Sequence, residues 1–278
     1  MSKLITPDIS LEDEILLIKA KQDMTNVTYL MKGFNYIGGK IEDGVELLPE
    51  KVQDFVFNKT TSILEQVVKV NLKTMQKGTP FKKPSKLVYK TLVTTTGAAS
   101  GFLGAGTPIV GQAAFATDLA LTTKFIMRSI MDIARGKGED LHTLEAQFQC
   151  LQVLALGGDS KEDDGADTSY YASRIAIQTS INKASEMGIQ GLLTTLSSSA
   201  NPLYKSFSLI VSRFTSKVSE KVAAQLIPVV GGLTGGAINY TFISHFQKMA
   251  EAHFTIRLLE RKYGIATIKE KYTAIVTR

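Results

Sequence analysis

Two long stretches without a charged side chain constrain the fold of this chain more than any other feature. Residues 91–117 and residues 222–247 contain no Asp, Glu, Lys or Arg. Each stretch, drawn as one helix, would measure about 40 Å. That length is more than enough to cross the ~30 Å hydrocarbon core of a bilayer. An uncharged stretch of this kind belongs either to the interior of a protein or to a membrane.

Prolines and polar side chains in both stretches favour the protein interior. Pro108 and Pro228 divide them into shorter pieces, and Thr, Ser, Gln and Asn side chains make them less apolar than membrane-spanning helices. We therefore predict two buried central helices, with conditional insertion of a glycine-rich hairpin as the alternative. Glycines at helical spacing allow close approach of helix backbones. The predicted packing glycines are Gly97, Gly101, Gly111, Gly231, Gly232, Gly235 and Gly236.

The sequence GFLGAGTPIVG, residues 101–111, is not a phosphate-binding loop. The Walker pattern requires a lysine after its second glycine, but Thr107 and Pro108 stand there. The dinucleotide pattern G-x-G-x-x-G also fails, because Ile109 replaces the third glycine. We therefore predict no nucleotide and no other cofactor.

Helical periodicity dominates the remaining sequence and predicts an all-α fold. We expect a bundle of about eight to ten helices, with the two glycine-rich apolar helices at its centre. Residues 1–80 form an N-terminal helical region and residues 81–278 the main helical domain, the two packed as one domain. Residues 77–90 are predicted to be an exposed linker. Helices are predicted to start near Ser10, Pro49, Thr107, Asp140, Thr168, Asn201, Pro228 and Thr267.

Charge and cysteine content indicate the compartment. The net charge of +6 suits an anionic membrane surface but falls short of a dedicated nucleic-acid binder. Cys150 is the single cysteine, which fits a reducing compartment. Acidic residues at positions 12–14 come before any apolar region, unlike a secretory signal. We expect a cytoplasmic protein with a peripheral position on the inner face of the cell membrane.

Three polar residues stand out within the apolar helices. Asp118 is the first charged residue after 27 uncharged positions, and Asn239 lies in the second uncharged stretch. A buried carboxylate requires a polar partner, so we expect Asp118 and Asn239 to approach each other. The alternative places Asp118 at the water boundary of its helix. With His245, these residues form the predicted polar site.

Other charged and polar patterns predict neither a metal site nor a catalytic group. His245 and His253 lie eight residues apart with no carboxylate pattern between them, which indicates a half-exposed helix face. Arg128, Asp132 and Arg135 have helical spacing and predict ion pairs on the surface. We expect no catalytic and no metal-binding residue.

A lysine-rich segment around Phe81 suits an anionic bilayer surface, and an ordinary solvated loop is the alternative. The predicted anionic contacts are Lys82, Lys83 and Lys86.

Several ordered blocks between about residues 85 and 265 resemble the EcsC family. They are a glycine-rich stretch before Asp118-Leu119, Ile133-Ala134 followed by Gly138-Glu139, the stretch Leu154 to Gly158, and Pro228 to Asn239. The resemblance implies a bacterial protein associated by name with the Ecs ABC-transporter operon. It implies no substrate and no catalytic residue.

We therefore expect a non-enzymatic, peripheral membrane or transporter-associated binding protein that recognises a partner protein or lipid through apolar helix faces. The expected partners are a membrane surface, a lipid, or a membrane protein such as an ABC transporter, and not a nucleic acid. One alternative is a membrane-inserting or pore-forming protein that uses its glycine-rich helices. A second is an enzyme acting on a lipid-like substrate, with Asp118 or His245 as a base.

Overall fold

The computed structural model describes an all-α protein, as predicted. Seven α-helices and one short 3-10 turn, and no strand, occur within residues 9–25, 50–75, 86–103, 108–156, 170–171, 174, 210–211, 213–215, 217–219, 221 and 234–276, the part that the structure describes. The helices are α1 (Leu11–Thr25), α2 (Glu50–Met75), α3 (Lys86–Leu103), α4 (Pro108–Gly136), α5 (Leu144–Gln152), α6 (Thr234–Tyr263) and α7 (Ile265–Ala274), with the 3-10 turn at Val153–Ala155.

Local side-chain chemistry fixes several helix ends. The Ser10 hydroxyl oxygen accepts a hydrogen bond from the Asp13 amide at 3.3 Å before α1, and Thr143 accepts one from the Ala146 amide at 3.2 Å at the start of α5. Such caps satisfy amides that have no partner within the helix. Gly264 separates α6 from α7 with a φ of 90°, a backbone conformation that favours glycine.

Helix α6 is the central helix of the described bundle, and α1 packs along it in the antiparallel direction. Lys262 Nζ lies 2.6 Å from Asp13 Oδ2, and Lys248 Nζ lies 3.0 Å from Asp23 Oδ1. The division at residue 80 remains a prediction, although α1 from the first region packs directly on α6 from the second.

Helix α7 folds back beside α1. Lys21 is buried, and its ammonium group donates hydrogen bonds to the carbonyls of Tyr272 and Ile275 at 2.8 and 2.7 Å. Tyr263 at the end of α6 also donates from its hydroxyl to Asp13 Oδ2 at 2.6 Å. Helix α1 is therefore held by residues about 250 positions further along the chain.

Helices α3 and α4 form a second antiparallel pair against α6. The Tyr89 hydroxyl of α3 donates to Asp132 Oδ2 of α4 at 2.6 Å. Gln247 of α6 reaches both helices, because its Nε2 donates to the Lys86 carbonyl at 3.1 Å and to Ser129 Oγ at 2.8 Å. One end of α3 is thereby fixed against α4 and α6.

The structure corrects two expectations, one about the linker before the first uncharged stretch and one about the start of that stretch. Lys86 to Lys90 are helical and begin α3, so the linker predicted for residues 77–90 does not extend that far. Leu92 and neighbouring threonines are exposed, so the start of the stretch is not buried as predicted. Within the described residues, no helix combines the length and apolar character needed to cross a membrane.

The predicted packing glycines are only partly placed. Gly97 and Gly101 lie in α3, Gly111 lies in α4, and Gly235 and Gly236 lie in α6, where Gly236 is buried. Gly231 and Gly232 lie outside the described residues. Close backbone packing at these glycines remains a prediction.

Candidate functional site

A buried polar cluster lies where α3, α4 and α6 meet. Asp118 is only 3% exposed, and Lys221 and Asn239 are fully buried. Lys221 Nζ lies 2.6 Å from Asp118 Oδ2, and Asn239 Nδ2 donates to Asp118 Oδ1 at 3.0 Å. Thr122 lies 3.4 Å from the same Oδ1. We call these four residues the central cluster. The expected contact between Asp118 and Asn239 is present, and the water-boundary alternative for Asp118 is wrong.

Asn239 connects three helices through its side chain. Besides contacting Asp118 of α4, its Nδ2 donates to the Val93 carbonyl of α3 at 3.1 Å. Its Oδ1 is buried and has no hydrogen-bond partner among the described residues. Because a buried polar group is costly unless it is hydrogen-bonded, the cluster favours one arrangement of these helices over others.

Burial dominates the electrostatics of the ion pair. It lowers the pKa of Lys221, while the Asp118 carboxylate opposes that shift. The Phe242 ring centroid lies 5.4 Å from Lys221 Nζ and covers the ammonium group. The Lys221 ammonium group is fully buried and hydrogen-bonded to the Asp118 carboxylate. The pair therefore acts as a cross-link between helices.

His245, the third predicted site residue, does not join the central cluster in the described structure. It is buried, and its imidazole hydrogen-bonds the backbone of Leu156. Burial, together with the nearby positive charge of Lys217, lowers the pKa of His245 to about 3. Its Nε2 is buried, and no residue in the described part of the chain hydrogen-bonds it.

His253 is also buried, so the predicted half-exposed histidine face is wrong. Its Nδ1 lies 3.0 Å from the Tyr170 hydroxyl. Burial lowers the pKa of His253, as do the positive charges of Arg174 and Arg257. Among the residues with a described placement, no three His, Cys, Asp or Glu side chains group as metal ligands would.

A second polar assembly surrounds the C-terminal half of α6. Arg257 donates to both carboxylate oxygens of Glu139 at 2.8 and 3.0 Å, and to Glu145 at 3.1 Å. Arg261 also donates to Glu139. We call these four residues the arginine network. Burial opposes ionisation of Glu139, but the two arginines outweigh it and lower the pKa of this carboxyl group.

The turn after α4 explains the Gly-acid pair at positions 138 and 139. Gly138 has a φ of 82°, and a Cβ placed there would lie 3.6 Å from Arg261 Nη2. This turn directs Glu139 towards Arg257 and Arg261 of α6. The motif therefore has a structural role at the end of α4.

A charged pair that was not predicted from the sequence adjoins the arginine network. Arg174 and Glu260 form a two-pronged interaction, with nitrogen–oxygen distances of 2.5 and 2.6 Å. Both side chains are buried, and planar pairing of this kind is stronger than a single charged contact. The pair anchors the segment containing Arg174 to α6.

Helix α3 exposes an uncharged face at its N-terminal half. Leu87 is 73% exposed, Val88 52% and Leu92 38%. With the exposed residues Thr91 and Thr95 they span about 140° of the helix circumference. The hydroxyls of Thr91 and Thr95 donate to backbone carbonyls one turn earlier, each at 3.0 Å. We call these five residues the α3 outer face.

Basic side chains border the α3 outer face, although they already have contacts. Lys86 forms an ion pair with Glu251, which also lies 3.3 Å from Lys137 Nζ. Lys90 Nζ lies 4.8 Å from the Tyr240 ring centroid. Of the three lysines predicted to contact an anionic surface, only Lys86 is placed. Lys82 and Lys83 lie outside the described residues.

These features define the class of protein: an all-α bundle with a buried polar cross-link and an amphipathic surface helix. Residues 16–259 match the EcsC protein family, and the chain belongs to this family. The match begins within α1, well before the region that carried the resemblance. Neither a curated protein nor a solved structure matches the chain.

Proposed function

We propose that this EcsC-family protein is a non-enzymatic binding protein that associates peripherally with the surface of a membrane. The α3 outer face is the observation that carries the proposal. It presents three large apolar side chains to solvent on one side of a helix. Helices of this kind lie in the plane of the bilayer interface with the apolar side inserted.

The expected affinity suits reversible binding. Complete burial of a Leu or Val side chain contributes about 1.5–3 kcal/mol. Leu87, Val88 and Leu92 are already partly covered, so their insertion contributes roughly 3–5 kcal/mol in total. That energy supports weak association, and neighbouring cations would strengthen it on an anionic surface. A membrane protein such as an ABC transporter would contact the bound protein at the membrane surface.

The central cluster supports a binding role for α3. Asn239 holds the Val93 carbonyl, one residue after Leu92, while the Tyr89 hydroxyl is held by Asp132. The apolar side chains therefore project from a helix fixed by the protein interior. A preorganised contact surface loses little conformational freedom on binding.

Vesicle flotation tests the proposal with matched charge insertions. We expect the wild-type protein to float with vesicles of phosphatidylcholine and phosphatidylglycerol. Leu92→Glu should lower the bound fraction by roughly tenfold or more, because the carboxylate would have to enter an apolar layer. Ile265→Glu is the control, because Ile265 is 63% exposed on α7, away from α3.

Two outcomes would contradict the proposal. A wild-type protein that stays with the unbound fraction on every vesicle lacks the predicted surface affinity. Equal flotation of Leu92→Glu and wild-type protein would show that the α3 outer face does not enter the membrane. Circular dichroism of both variants establishes that the helical fold is intact.

A further inference from the structure

Helix α4 carries three cations along a single line. Lys124 and Arg128 are exposed and Arg135 is half-buried. Their spacings of four and seven residues place them on one side of the helix, over a length of about 16 Å. We call these three residues the α4 basic line.

Asp132 does not belong to this line, which corrects the expected surface ladder of ion pairs. Asp132 is buried, and its carboxylate accepts the hydrogen bond from the Tyr89 hydroxyl. Its side chain therefore points towards α3 and not along the exposed side of α4. Helix α4 therefore places no carboxylate between these cations on its exposed side.

The α4 basic line runs beside the α3 outer face. Tyr89, the neighbour of Val88 in sequence, contacts Asp132 of α4 and also interacts with the Arg128 side chain. Because α3 and α4 are antiparallel neighbours, Val88 and Leu92 form the border of the outer face nearest α4. Lys90 lies at the opposite border, against Tyr240 of α6. Positive charge therefore flanks the apolar residues on both sides.

We propose that the α4 basic line binds the phosphate groups of anionic phospholipids while the α3 outer face enters the boundary of the acyl chains. This inference rests on the proposed function and adds the class of lipid and the orientation of the protein. Cations beside an inserted helix lie at the level of the headgroups, where each attracts negative charge.

A bilayer fits this surface better than a folded protein partner does. The α3 outer face offers no charged group, and the Thr91 and Thr95 hydroxyls already donate within the helix. A specific protein interface usually carries directional hydrogen bonds. An apolar strip beside a line of cations instead complements the layered polarity of an anionic membrane.

Partitioning onto two vesicle types tests the inference. The vesicles contain phosphatidylcholine alone or phosphatidylcholine with phosphatidylglycerol. We expect Lys124→Gln/Arg128→Gln to weaken binding to the anionic vesicles by roughly 10- to 30-fold, since each cation contributes about fivefold. Binding to the neutral vesicles should not change. Lys19→Gln/Lys269→Gln removes the same charge from exposed residues of α1 and α7 and should have less than about a threefold effect.

The outcomes separate this inference from the proposed function. One outcome is that Leu92→Glu loses binding to both vesicle types while the α4 double variant binds as the wild type does. That outcome would support the proposed function and overturn the inference. Equal weakening by the two double variants would overturn it as well, because net charge alone would then explain binding. Lys124→Gln alone, at an exposed position, keeps the test valid if the double variant does not fold, with an expected loss of about fivefold.

Inorganic phosphate distinguishes a membrane surface from a site for a free anion. At matched ionic strength, phosphate and chloride should weaken binding to anionic vesicles equally. Stronger displacement by phosphate would indicate a discrete anion site and would overturn the surface model.

Discussion

The central cluster and the arginine network satisfy buried carboxylates in different ways. Among the described residues, Asp118 has one cationic partner, Lys221, with polar contacts from Asn239 and Thr122. Glu139 instead contacts two arginines, one of which also contacts Glu145. The first cluster is enclosed, whereas the second includes the partly exposed groups of Glu145 and Arg261.

This difference predicts how each assembly tolerates the loss of one member. In the central cluster, removal of Lys221 leaves a carboxylate in an apolar interior without a counterion. In the arginine network, a remaining charged neighbour and solvent can compensate for part of a loss. The central cluster should therefore be the more sensitive of the two.

Lys221→Met should produce the largest effect. We expect the free energy of unfolding to fall by about 3–5 kcal/mol, because Asp118 remains buried and unpaired. Urea denaturation measures the change. Asp118→Leu/Lys221→Met, which removes both charges, should recover most of the loss. A cost of less than about 1 kcal/mol for the single variant would show that the pair is not enclosed as described.

Acidification compares the surroundings of the two buried histidines. The folded protein keeps both imidazoles neutral, whereas the unfolded chain binds protons below about pH 6.5. The stability that the two neutral histidines give the folded protein is therefore fully present above pH 6.5. It is lost as the pH falls towards the lowered pKa of the folded state, which is about 3 for His245. Protonation linked to each histidine should lower the free energy of unfolding by about 2 kcal/mol between pH 6.5 and pH 5.

Denaturation at several pH values measures this loss. His253→Gln and His245→Gln should each flatten the pH dependence by about half within that range. If neither substitution alters the dependence of the free energy of unfolding on pH, the two histidines are not its cause.

Glu139→Gln should have the smallest effect of the three. We expect a loss of about 1–3 kcal/mol, because Arg257 keeps its contact with Glu145 at 3.1 Å. Glu145→Gln, at the exposed end of the same network, should cost no more than about 1 kcal/mol. Thermal or urea unfolding measures both. A loss for Glu139→Gln that exceeds the loss for Lys221→Met would reverse the ranking of the two assemblies.

The sequence predicted half of the central cluster for a clear physical reason. A charged or amide side chain within a long apolar stretch needs a buried partner, which pointed to Asp118 and Asn239. The same reasoning applies to Lys221, the last charged residue before the stretch 222–247. We did not predict it because many surface lysines have the same local pattern.

Other features depended on contacts that local pattern does not encode. Glu139 and Arg257 are separated by 118 positions, and several acidic residues could have taken the place of Glu139. The α3 outer face was not predicted because Leu87 and Val88 were assigned to an exposed linker and Leu92 to a buried uncharged stretch, so the three were not placed on one helix. Leu87, Val88 and Leu92 share an exposed side because Tyr89 and Val93, on the opposite side of α3, contact Asp132 of α4 and Asn239 of α6.

The position of α1 has a consequence for synthesis on the ribosome. Its buried residues, including Leu17, Ala20 and Met24, pack in a bundle where α6 and α7 are the principal neighbours of α1 among the described helices. Because translation proceeds from the N-terminus, α1 emerges long before residues 234–274 exist. Its apolar side must remain unassembled in the nascent chain, or be held by a chaperone, until almost the whole sequence has been translated.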